Sequence, residues 1–202
     1  MSQDRAPWQE DQVVQVPERP GWVYWVAGLD DAALQDVASA APGGADDPEV
    51  LGAIRALDLD ATVTGTAWGV GMWFPADQGG RPRAGFLLST YPERGDVEKA
   101  YRTFVKSARA VPHLPGVTIS SYDMAEGGEV DFGRFVEQVI DTAPASGELE
   151  LRWRYTFFPT AKDEVVVLEF QTAYAHLVDA LEDEIVALIE NMYYRVPEGW
   201  QG

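Results

Sequence analysis

The sequence predicts an α+β fold, an antiparallel β-sheet meander covered by helices. Three stretches carry that reading. Residues 148–157 alternate strictly, with Leu149, Leu151, Trp153, Tyr155 and Phe157 on one face and Glu148, Glu150, Arg152, Arg154 and Thr156 on the other, the period of a half-buried strand. Val165, Val166, Val167, Leu168 and Phe170 follow as a second strand, rich in β-branched residues. From residue 173 the period changes, and Leu177, Leu181, Ile185, Leu188 and Met192 recur at steps of three and four, the stripe of an amphipathic helix.

The remaining elements follow in chain order. Residues 1–11 are polar and read as a tail. Val13, Val14 and Val16 begin an extended segment that stops at Pro17, and residues 22–26 form a short strand behind a Pro-Gly turn. Asp30 or Asp31 caps a helix running through Ala41, with Leu34 and Val37 on its apolar side. Asp47 with Pro48 after it reads as an N-cap with proline in the first helical position, opening a helix that carries Val50, Leu51, Ile54 and Leu57. Residues 62–74 read as a strand with a row of small residues, Val63, Gly65, Ala67, Gly69 and Gly71, leading to Trp73, while Trp68, Val70, Met72 and Phe74 face the other way. Such a row lets something approach the backbone closely, either a packed element or a ligand in a groove.

A loop over residues 76–82 leads to a strand at 84–91, and Asp96 caps a helix with Val97, Ala100, Tyr101, Phe104, Val105 and Ala108 on one stripe. Residues 117–122 read as a strand and the glycine-rich, acidic residues 125–131 as a turn. Residues 132–142 fit a helix face through Val136, Val139 and Ile140, yet their β-branched content favours a strand; a hairpin loop at 144–147 then enters the alternating strand. Tyr193 and Tyr194 extend the last helix, and residues 197–202 form a tail. Residues 12–196 thus read as one α+β domain, a size that fits a single core for a chain of 202 residues.

Composition narrows the function classes. Aspartate and glutamate number 33 against 15 lysines and arginines, a net charge of −18. A field of that sign repels nucleic-acid phosphates and anionic lipid, so neither nucleic acid nor membrane insertion is expected. No stretch approaches the roughly eighteen or more apolar residues of a membrane span. The N-terminus has no apolar run behind a basic start, so no secretory signal is expected. The chain has no cysteine, which excludes disulfides, thiolate metal sites and cysteine nucleophiles and fits a cytoplasmic location.

The order of elements, with Gly133-Arg-Phe-Val-Glu-Gln-Val, Tyr155-Thr-Phe-Phe-Pro159, Val165-Val-Val-Leu-Glu-Phe-Gln-Thr172 and the closing helix through Ile189, resembles the PsbP-like αβα sandwich. That fold is shared by the photosystem extrinsic subunit, a Ran-binding import factor and small actinobacterial proteins, some associated with type VII secretion. The resemblance implies a role in accessory binding and assembly, with no shared catalytic residues. Cystatin-like and ferredoxin-like arrangements are the alternative folds.

Residue chemistry points the same way. His113 and His176 lie in different elements and belong to no His-x-x-x-His pair. Residues 65–71 lack the GxGxxG order of a dinucleotide loop, and no Gly-x-Ser-x-Gly elbow occurs. Glu182, Asp183 and Glu184 fall at helical spacing, as the polar side of the last helix. No cofactor, metal or catalytic group is expected, and the chain reads as non-enzymatic. The function expected is that of an acidic protein-interaction or accessory factor, possible in a secretion or assembly system, that binds another protein. An immunity-type inhibitor of a basic toxin, or a small-molecule binder using the groove beside Gly65, Ala67, Gly69, Gly71 and Trp73, are the alternatives. Arg152 and Arg154, on an exposed sheet face, are the candidate interaction residues.

Overall fold

The computed structural model describes residues 14–93, 95–114, 117–130, 132–144, 149–159 and 164–194. In order, β1 (Val14–Gln15) and β2 (Trp22–Val26) precede α1 (Asp31–Ala40) and α2 (Pro48–Thr64). Next come β3 (Ala67–Trp73), β4 (Ala84–Pro92) and α3 (Val97–Ala108). Four strands follow, β5 (Val117–Val130), β6 (Gly133–Pro144), β7 (Glu150–Phe158) and β8 (Glu164–Thr172), before α4 (Val178–Glu190) and β9 (Tyr193–Tyr194). The anticipated tails and most of the hairpin loop at 144–147 lie outside the described residues.

β2 to β8 form one antiparallel sheet in the order β2-β3-β4-β8-β7-β6-β5, so residues 117–172 make the expected meander. Helices cover both faces, an α+β architecture compatible with the PsbP-like sandwich; the cystatin-like and ferredoxin-like alternatives would leave one face bare. On one face α4 packs Leu181, Ile185 and Leu188 on Phe86, Leu88, Trp153, Phe157, Leu168 and Phe170. On the other, α1 and α2 cover β2, β3 and Leu87 through Leu34, Ile54 and Leu57. At the far end of that face α3 sets Tyr101 and Val105 against Val136 and Phe158. No helix among the described residues is long and apolar enough to cross a membrane.

The helix starts are local chemistry. Asp30 accepts from the Ala33 amide, Asp47 from Glu49 with Pro48 in the first turn, and Asp96 from Glu98 and Lys99.

Four local expectations are corrected. Residues 62–64 are helix rather than strand: the Thr62 and Thr64 hydroxyls donate back to the Asp58 and Asp60 carbonyls, and Gly65 ends α2 with φ +72°, the left-handed cap glycine supplies. A bulge between Ala67 and Gly69 turns Trp68 to the α4 face, away from Val70 and Met72. The acidic stretch after residue 124 is strand through Val130, because a second bulge between Glu126 and Glu129 absorbs the glycines and the Phe135 ring fills the space over Gly127. Tyr193 and Tyr194 are not helix: after Asn191 they pair with Gln15 and Val14 as β9, closing the first described strand against the last.

Candidate functional site: a trough between two helices

Among the described residues, the helical layer opposite α4 is incomplete. α2 rests on β3 and reaches Gly85 and Leu87 of β4 through Leu57, and α3 rests on β7; between them the described residues leave cavities over parts of β4, β8 and β7. Three strand spacings of about 4.8 Å separate β3 from β7, so the helices stand roughly 14 Å apart. Helices in contact pack at about 8–10 Å. The result is a trough with a sheet for its floor.

The pleat decides which residues form that floor, and the register arranges them in rows. Ile140, Arg152, Gln171 and Gly85 lie side by side; then Gln138, Arg154, Glu169 and Leu87; then Val136, Thr156, Val167 and Ser89. Small side chains line both walls, Ala53 and Ala56 from α2 and Ala100, Thr103 and Ser107 from α3. On the α2 side is a cavity of about 530 Å³, and on the α3 side one of about 870 Å³. Arg152 borders the first and Arg154 the second.

These arginines meet at one carboxylate. Arg152 Nη1 donates to Glu169 Oε1 at 3.2 Å and its Nη2 lies 2.9 Å from Glu150 Oε1, while Arg154 Nε lies 3.3 Å from Glu169 Oε2. Two cations and two anions cancel, but the hydrogen bonding does not close. Among the described residues, the buried side-chain atoms without a hydrogen-bond partner are Gln138 Oε1, Arg152 Nε, Arg154 Nε and Thr156 Oγ1. Arg152 borders the α2-side cavity, Arg154 and Thr156 border the α3-side cavity, and Gln138 lies beside Arg154 in register without lining either. Gln138 is 5% exposed and Thr156 2%. A buried polar atom left unpaired costs about 1–3 kcal/mol, so an added donor or acceptor on this patch would be stabilising.

Both walls are anchored at their ends. Arg83 stacks over the Tyr174 ring at 4.4 Å and lies 3.6 Å from Glu49 on α2. At the other end Arg134 of β6 sits 4.0 Å over the Tyr101 ring and bonds Glu98 of α3 at 3.0 Å. Hydrogen bonds from Arg102 and then Arg134 hold the Glu98 carboxyl below its ordinary range.

Of the residues singled out from the sequence, the structure brings Arg152 and Arg154 into this trough. Gly65, Ala67, Gly69, Gly71 and Trp73 are elsewhere. Gly65 caps α2, and Trp73 is core, stacked on Trp22 at 6.4 Å. The space beside Gly69 is taken by the Leu88 side chain and that beside Gly71 by the Phe86 ring, so the small-residue row is a packing device closed by β4. His113 and His176 are both exposed and lie apart in the chain. Glu184 is not merely solvated: it accepts from Arg19 Nε at 2.8 Å and Trp22 Nε1 at 3.2 Å, tying the N-terminal segment to α4.

Sequence reading missed Gln138, Glu169 and Lys99. Glu169 had a signal: it shares strand parity with Val165, Val167 and Gln171, opposite Val166, Leu168 and Phe170. Lys99 and Gln138 had none, because only the pairing of strands and the seat of α3 bring them near.

No family model matches the chain, and no curated protein matches it. Among solved structures, it is similar to the crystal structure of LpqN, a protein involved in cell envelope biogenesis of Mycobacterium tuberculosis. The TM-score is 0.48 and the identity 14%, over 91% of this chain and 83% of that one.

Proposed function

We propose that this chain is a non-enzymatic binding protein whose trough takes an extended segment of a partner protein. The observation that carries this reading is the set of buried polar atoms without a hydrogen bond beside the two cavities between α2 and α3, Arg152 Nε, Arg154 Nε and Thr156 Oγ1. A segment lying there would supply the missing donors and acceptors and cover the open strands. The width supports an extended occupant, because inserting a helix between two others needs roughly 16–20 Å. The accessory-binding theme implied by the PsbP-like resemblance gives the role, a factor that holds a client segment during assembly or secretion. The net charge of −18 favours a client that is basic outside the bound segment, with association slowed by salt.

Site-directed photo-crosslinking in the native cell tests this. A photoreactive phenylalanine at Ala56 or Thr103, in the two walls, is expected to give an adduct with one and the same protein. The same group at Val186, exposed on α4 across the sheet, is expected to give none. Adducts of equal yield at Val186, or no adduct at either wall, overturn the reading.

A further inference from the structure

We infer that the α3 side of the trough is a carboxylate-reading subsite, so that the bound segment presents an acidic side chain flanked by apolar ones. This rests on the trough being the docking site. The atoms without a hydrogen bond are unbalanced in kind: two guanidinium N–H groups can only donate and the Thr156 hydroxyl can donate or accept, against one amide oxygen, Gln138 Oε1, that can only accept. The floor therefore has a surplus of donors, and what it lacks is an acceptor.

Charge sharpens the class of acceptor. Arg154 faces Glu169 through Nε, at 3.3 Å and without hydrogen-bond geometry, and its two terminal nitrogens make no hydrogen bond among the described residues. Lys99, on the α3 wall of the same 870 Å³ cavity, forms no ion pair among the described residues. The acids that border the cavity, Glu93 and Asp96, stand at its β4 end, and Asp96 is engaged by the Glu98 and Lys99 amides at 2.9 and 3.2 Å. A guanidinium fork with an ammonium opposite and a buried hydroxyl beneath suits a planar carboxylate. A phosphate dianion is disfavoured in the field of a chain carrying −18. Beside these donors Phe104, Phe158 and Val165 offer an apolar wall, with the two rings 5.5 Å apart.

The test uses the full ¹⁵N-labelled chain and two probes of one shape, 3-phenylpropionate and its neutral amide. The carboxylate is expected to give saturable shifts at the Arg154 Nε–Hε and Thr156 amide resonances and to bind at least about tenfold more tightly than the amide. Lys99→Gln, at an exposed position, and Arg154→Lys are expected to weaken the carboxylate several-fold and leave the amide unchanged. Equal binding of both probes, or no shift at these resonances, overturns the subsite; the second result would mean that water alone satisfies the donors. The two readings fail separately. Crosslinks at Thr103 with no carboxylate preference retain the docking trough and remove the subsite, and the converse retains the subsite and removes the protein client.

Discussion

Replacing Asp58 with alanine is expected to destabilise the protein by about 3–5 kcal/mol, because three donors would lose their acceptor at about 1–3 kcal/mol each. Asp58 sits on α2 at 7% exposure. Its Oδ1 accepts from Trp25 Nε1 at 3.0 Å and from the Gly28 amide at 3.0 Å, and its Oδ2 from the Leu29 amide at 3.1 Å. One carboxylate thus ties α2 to the edge strand β2 and to the loop that starts α1. Alanine leaves all three donors without an acceptor, and the indole nitrogen belongs to a tryptophan that is 2% exposed. Asp58→Asn keeps one acceptor oxygen and is expected to cost less, about 1–2 kcal/mol. Urea unfolding with an unchanged slope measures both. An alanine variant within about 1 kcal/mol of the parent would remove this account, since that is the range of an ordinary surface change.

The second large effect belongs to the pair Phe86 and Gly71. Phe86 is fully buried between Trp22, at 5.5 Å, Tyr24, at 6.0 Å, and Phe170, at 5.5 Å. Phe86→Ala opens a large cavity and is expected to cost about 3–5 kcal/mol. Gly71→Ala works in the opposite sense, by overfilling. Its Cβ would lie 2.2 Å from the Phe86 ring, and the surrounding rings leave Phe86 nowhere to move. Alanine gains roughly 0.5–1 kcal/mol over glycine in a strand from chain entropy. The overlap costs about 1–3 kcal/mol and therefore wins. In the Phe86→Ala background the alanine methyl enters vacated space, so its cost is expected to vanish or change sign. Additive single and double variants in the same unfolding assay would show that the glycine is not there to seat the ring.

Each pair of positions also shows how far sequence could reach. The alternation within residues 150–157, the stripe from Leu177 to Leu188 and the Asp caps at positions 30, 47 and 96 depend on nearest neighbours along the chain, and the structure has them. The small-residue row was visible as well, but its meaning was not. Whether glycine faces a ligand or a phenylalanine depends on which strand pairs beside it, and Phe86 is fifteen residues away in sequence. Residues 62–64 misled because a β-branched run has strand propensity, while two threonine hydroxyls and a cap glycine let α2 continue to its end.

The trough shows the division most clearly. The sequence by itself determined that Arg152, Arg154 and Thr156 share one face of a strand, because side-chain direction follows from a period of two. It determined the acidity, the absence of thiol chemistry and an antiparallel meander with a closing helix. Only the tertiary structure decided that β8 lies between β4 and β7, that Glu169 therefore stands between two arginines, and that α2 and α3 seat too far apart to cover them. Those facts depend on strand order and helix placement. They are set by the sum of apolar burial on both sheet faces, which no local window of the chain contains.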